Sequence, residues 1–194
     1  MKHKLAKADI LPPEDYERIR DTRRREIIDM KKNRRVAVGP YATFYFENYD
    51  TMWLQVQEML RIEKGGAEQL QDELRAYNPL IPKGRELTAT VMFEIPDAQL
   101  RASVLATLGG VEKCFSLRFA GETVTGKPEE DLDYTSAEGK ASSVQFVHFH
   151  FAPAQIAKFR APDAEVTVAV NHTGYGHMAI MPQAMRQALC KDFD

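Results

Sequence analysis

At 194 residues, with 44% hydrophobic and 28% charged side chains, the chain is long enough to bury a core and has an ordinary globular composition. Its formal net charge of −2 gives no overall bias toward nucleic acid or an anionic membrane surface. Two cysteines outside any CxxC are too few for a disulfide framework, and no apolar run suits a signal-peptide core or a membrane span, so a cytoplasmic protein is expected.

The first helix is expected from "PPEDYERIRDTRRREIIDMKK", with Pro13 at its first position, Glu14 and Asp15 in its first turn and basic residues at its end. "RRVAVGPYATFYFEN" follows as extended chain bent at Gly39 and Pro40. Asp50 is expected to cap a second helix, "TMWLQVQEMLRIEK", stopped by Gly65 and Gly66. A third, "AEQLQDELRAY", ends before Pro79. Residues 1–82 therefore read as a mostly helical N-terminal region.

From residue 83 strands dominate. "RELTATVMFEI" alternates with period two, "PDAQLRASVLATLGG" is a helix, and "KCFSLRFAG" is a second strand. A polar loop with a short arm at "ETVTG" and the acids Glu129, Glu130, Asp131 and Asp133 precedes the strand "SSVQFVHFHF". The helix "APAQIAKFRAP", the strand "AEVTVAVN", an extended stretch and a last helix starting at Pro182 complete the chain. The order βαββαβ over residues 83–194 predicts an α+β protein: a ferredoxin-like antiparallel sheet carrying the helical N-terminal region and a C-terminal helix in one compact unit.

His148 and His150 are two residues apart on one strand, so both imidazoles face the same way. In the ferredoxin-like arrangement they leave the helix-covered face and share the other with Thr88, Thr90 and Met92, with Asn171 near His150. Packed between sheet and N-terminal helices, the pair would be ordinary hydrogen-bonded core. A divalent metal ion would need a third ligand, for which His172, His177 and Glu47 are the candidates. No HExxH, ExxH or cysteine ligand set is present, and no phosphate loop, dinucleotide fingerprint or GxSxG. No catalytic residue and no cofactor beyond that metal is therefore assigned.

The second unusual stretch is the helix after residue 50. Gln57 and Glu63 fall inside its apolar face and demand partners, either nearby backbone and an arginine such as Arg34 or Arg35, or a bound ligand or protein. Glu47 and Asn48 precede it, the first expected to pair with a base from "KKNRR" and the second to hydrogen-bond its own turn. Residues 18–35 hold nine Lys or Arg against three acids, a net of +6 that leaves −8 for the rest. Interleaved aromatics for base stacking are missing and Asp21, Glu26 and Asp29 can pair along the helix, which makes nucleic acid a minor possibility. The expected surface is a solvated helix face or a docking site built from Arg23, Arg24, Arg25, Arg34, Arg35, Glu47, Asn48, Gln57 and Glu63. A sheet face left open by the N-terminal region would instead suit a homodimer.

"RRVAVGPYATFYFENYDTMWLQVQEMLRIEK" followed by "YNPLIPKGRELTATVMFE" resembles an uncharacterised bacterial family of similar length, over nearly the whole chain and most strongly at residues 34–64 and 77–94. Members of that family look like companions of rubrerythrin-type and iron–sulfur oxidoreductase proteins. The resemblance implies a cytosolic accessory protein in oxidative stress, docked on a redox partner, and it transfers no catalytic residue. Rubrerythrin chemistry needs carboxylate–histidine helices and iron–sulfur clusters need several cysteines, so any such cofactor would belong to the partner.

Overall fold

The computed structural model describes residues 2–130 and 132–194. Helix α1 (Pro13–Lys31) starts at Pro13 with two acids in its first turn and buries Tyr16 and Ile27. Arg20, which interrupts that apolar stripe, makes a two-pronged pair with Glu58 at 2.7 and 2.9 Å. Strands β1 (Arg35–Val38) and β2 (Ala42–Glu47) form a hairpin around Gly39, whose φ of +70° suits glycine. A Cβ there would lie 2.5 Å from the His177 ring.

Helix α2 (Tyr49–Glu63) is capped two residues earlier than the expected Asp50. Asn48 is the cap: its Oδ1 accepts from Thr51 N at 3.0 Å, and its own N–H donates to Thr51 Oγ1 at 2.9 Å. Asp50 then lies inside the helix and faces Arg23 at 3.3 Å. Helix α3 (Gly66–Tyr77) follows.

The remaining elements are β3 (Glu86–Phe93), α4 (Ala98–Ala106), β4 (Phe115–Phe119), β5 (Glu122–Thr125), β6 (Lys127–Pro128), β7 (Val144–His150), α5 (Pro153–Arg160), β8 (Thr167–His172), β9 (Tyr175–Ile180) and α6 (Gln183–Leu189). The protein is α+β, with antiparallel sheets and the expected C-terminal helix. The strands nevertheless divide over two sheets, ordered β1-β2-β3-β7-β6 and β5-β4-β8-β9, where a single ferredoxin-like sheet was expected. β3 and β7 are neighbours as that topology requires, but β8 pairs with β4 and not with β3.

The physical reason lies in what each sheet has to bury. Leu87, Ala89, Val91, Phe93, Val147 and Phe149 on the first sheet belong to one apolar cluster with Phe115, Leu117, Phe119, Val168 and Val170 on the second. Two apolar faces satisfy each other, so the main core lies between sheets. The division at residue 82 has no counterpart in the pairing, because β2 of the N-terminal region is hydrogen-bonded to β3 along its length.

The chain crosses between sheets at Gly126, from β5 to β6. A Cβ on Gly126 would meet Val147 at 2.5 Å and Phe149 at 3.0 Å, so only glycine passes so close to the core. Opposite this seam β1 lies beside β9, joined by one side chain. Tyr175 Oη accepts from Tyr41 N at 2.8 Å and Ala42 N at 2.9 Å, and donates to Val38 O at 2.7 Å.

A second cluster roofs the outer face of the first sheet. Leu5, Tyr16, Met52, Trp53, Val56, Leu80 and Ile81 pack together, with Phe146 of β7 against them. The face bearing Thr88, Thr90 and His148 is thus covered by the chain's own helical layer and is not the open dimer surface considered above. Among the described residues no helix is long and apolar enough to cross a membrane.

Candidate metal centre

Under one margin of that roof, antiparallel register sets Thr88 opposite His148 and Glu86 opposite His150. Alternation keeps Glu86, His148 and His150 on the same outer face. The two imidazoles stack at 5.9 Å with 13° between their planes. Glu86 Oε2 lies 3.2 Å from Nδ1 of His148 and 3.2 Å from Nδ1 of His150. Among the described residues this is the one group of three side chains whose ligating atoms converge, all within 4.8 Å of one another.

Neighbouring contacts hold the three in place. Lys83 N donates to Glu86 Oε1 at 3.2 Å, leaving Oε2 for the imidazoles. Strand β6 pairs Lys127 with His148 and carries Glu129 alongside, so that Glu129 Oε2 lies 2.6 Å from His148 Nε2. Glu86 is 5% exposed, whereas the His150 side chain is 57% exposed and opens the group to solvent.

Burial opposes a charge on His148, but the carboxylates of Glu86 and Glu129 outweigh it and its pKa is raised above the ordinary imidazole value. Burial likewise favours protonated Glu86, yet His148 and His150 hold its pKa below the usual carboxylate value. Burial lowers the Lys83 pKa, and its Nζ donates to His3 O at 2.7 Å and Asn78 O at 2.8 Å. His148 has a carboxylate oxygen at each ring nitrogen, so it carries either two protons, as an imidazolium, or one proton and a metal ion. Ligands about 2.0–2.1 Å from a tetrahedral metal lie about 3.3 Å apart, which matches both nitrogen–oxygen distances. With Nε2–H given to Glu129, His148 would present Nδ1 as a neutral ligand in the carboxylate–histidine–metal arrangement.

The other expected ligands lie elsewhere. His172 and His177 are on β8 and β9 of the second sheet. His172 Nε2 is 3.1 Å from Gly109 O, and the His177 ring packs on Tyr175 at 4.4 Å. Both belong to structure because the strands that carry them pair with β4 and with each other and not with β3. For the same reason Asn171 meets Arg118 and Ser116 and not His150. Glu47 accepts the Thr90 hydroxyl at 2.9 Å from the far side of β3 and does not reach the histidines.

Of the residues expected at a docking surface, Arg34, Glu47 and Gln57 are buried and present nothing to a partner. Arg34 pairs with Asp192 and donates to the carbonyls of Phe46 and Glu47, so it takes Glu47 by its backbone and not its carboxylate. Asn48 is occupied as a helix cap. Arg23 pairs with Glu26 and Asp50 and lies over Trp53 at 5.1 Å. Glu63 is exposed, outside the apolar face expected for it, and accepts from Gln69 at 3.1 Å. Arg24, Arg25 and Arg35 are exposed.

Two residues of the centre, Glu86 and Glu129, escape sequence reasoning. Glu86 was within reach, since alternation places it with Thr88 and Thr90. Glu129 needed the two-residue strand β6, which has no sequence signature; its neighbour in the acidic cluster, Asp131, lies outside the described residues.

Residues 4–193 match the family described as "Protein of unknown function (DUF3501)". A crystal structure at 1.90 Å of a novel protein of unknown function from Burkholderia pseudomallei K96243 is similar to this chain, with a TM-score of 0.91 and 32% identity over 98% of this chain and 100% of that one. No curated protein matches.

Proposed function

The chain belongs to the DUF3501 family, and from this premise, which brings no activity with it, we propose that it is a mononuclear metal protein. Glu86 Oε2, His148 Nδ1 and His150 Nδ1 are the ligands of one divalent ion, and Glu129 orients His148. The observation that carries this reading is the convergence of both Nδ1 atoms on one buried carboxylate oxygen at 3.2 Å. Two histidines and one carboxylate suit zinc or iron(II), and such a set leaves at least one coordination position for water or substrate. That position would face solvent beside His150, whose side chain is 57% exposed.

The test is metal analysis of untagged protein after reconstitution with zinc or with iron(II) under anaerobic conditions. One equivalent per chain is expected, absent from His148→Ala/His150→Ala. Glu129→Gln should keep the ion but weaken its binding about 10- to 100-fold. Reconstituted wild-type protein holding well under one equivalent of either metal would overturn the reading.

A second reading, a docking surface for an acidic protein, is favoured by one observation. Arg24 and Arg25 stand exposed on α1 beside Ile28, which is 57% exposed, and neither arginine has a carboxylate partner among the described residues. The redox character of such a partner rests on the family resemblance alone. Reversing both charges with Arg24→Glu/Arg25→Glu should abolish co-purification, and a complex that survives the reversal removes the reading.

A further inference from the structure

Strand β6 brings one more charged side chain to the metal centre. Lys127 stands opposite His148 in the β6–β7 register, so both project from the same outer face of the sheet. His150, two residues along β7, is then its diagonal neighbour, about 7–8 Å away and within reach of a long side chain. Lys127 is exposed and makes no ion pair with another described residue. Glu129, two residues further along the chain, is already spent on His148 Nε2 at 2.6 Å. Lys83, a second ammonium close enough to feel Glu86 and Glu129, donates from Nζ to His3 O and Asn78 O at 2.7 and 2.8 Å.

Resting on the metal reading above, we propose that the centre binds a small carboxylate anion, with one oxygen on the open coordination position and the other accepting from Lys127 Nζ. Charge balance selects an anion. The carboxylates of Glu86 and Glu129 offset the two charges of the ion and neutral imidazoles add none, so Lys127 adds a net positive charge beside the open position. Shape selects a carboxylate. Its two oxygens match one metal position and one ammonium. Phosphate would bring further oxygens and a second charge to a face where the β6–β7 register supplies one free lysine. Access fits as well, because exposed Lys127 and the exposed side of His150 share the solvent margin of the group.

The experiment loads the full metal-free chain with cobalt(II), whose visible absorption bands report its coordination shell. The loaded protein is titrated with acetate and separately with phosphate, at constant low ionic strength. A saturable one-to-one change of the bands by acetate is expected, with a weaker response to phosphate. Lys127→Ala should take up the same equivalent of cobalt and bind acetate about fivefold more weakly, the scale of an exposed ion pair. Added salt should narrow that difference. Lys127→Arg keeps the charge and should restore most of the affinity.

Cobalt-loaded protein whose bands acetate leaves unchanged would overturn the inference and leave the metal centre standing. Equal acetate affinity in wild type and Lys127→Ala would do the same. Phosphate binding tighter than acetate would overturn the carboxylate class. A chain that takes up no cobalt removes the centre itself, and the inference falls with it.

Discussion

Arg34–Asp192 and Glu86–His148–His150 are both charged groups packed against the first sheet, and they are finished differently. The Arg34 and Asp192 side chains are 4% and 2% exposed. Arg34 spends its donors on Asp192 and on the carbonyls of Phe46 and Glu47, tying the end of β2 to the C-terminal segment. Nothing is left over for a ligand. The histidine group is half open, and its atoms converge on a point instead of pairing off. Charge and burial alone therefore do not mark a functional site. What singles out the candidate centre is the convergence of donor atoms left over after the local pairing.

The largest expected effect breaks the closed group. Arg34→Met leaves Asp192 buried without its cation and should cost about 3–5 kcal/mol in chemical denaturation. Arg34→Met/Asp192→Leu should recover most of that, since an apolar pair of similar volume can replace a buried ion pair. A single variant within about 1 kcal/mol of wild type would mean that the pair is not what joins these segments.

Glu86→Gln sharpens the comparison from the open side. The amide can still accept from Lys83 N, so metal-free stability should fall by only about 1–2 kcal/mol. The loss should appear in metal linkage instead. Zinc at a hundred times its Kd stabilises a one-site protein by about 2.7 kcal/mol, and this gain should vanish in the variant. Equal zinc stabilisation of both proteins would place the ion elsewhere.

The two groups were unequally legible in sequence. Caps, glycines and alternation place nearly every helix and strand, because those signals are local. The partition of strands into two sheets is not local. It depends on β1 and β2 widening one sheet and on β5 and β9 widening the other, until two apolar faces can cover each other. His148 and His150 were visible as a pair because they share one strand. Glu86 became their partner only through the β3–β7 register, and His172 and His177 were drawn in by a sheet that does not form. Arg34 looked like a surface base because its acid lies 158 residues away in the sequence.

A third cluster sets the smallest effect and tests whether a partly buried ion pair can create pH sensitivity. Arg20 is the chief cause that holds Glu58 down to about 2, against a smaller opposing effect of burial, with Tyr16 donating as well. A carboxyl whose folded pKa is depressed adds stability that is complete above its unfolded value near 4.5 and is lost as pH falls through about 2. Asp192 works in the opposite sense. Burial outweighs Arg34 and raises its pKa, so protonation is easier in the folded chain and acid does not remove stability through this group. Glu58→Gln should therefore cost about 1 kcal/mol or less at pH 7 and flatten the acid limb between pH 4.5 and 2. Chemical denaturation at pH 7, 4 and 2.5 checks it. An acid limb as steep in Glu58→Gln as in wild type would move the sensitivity to other carboxylates and leave the Arg20–Glu58 pair as packing between α1 and α2.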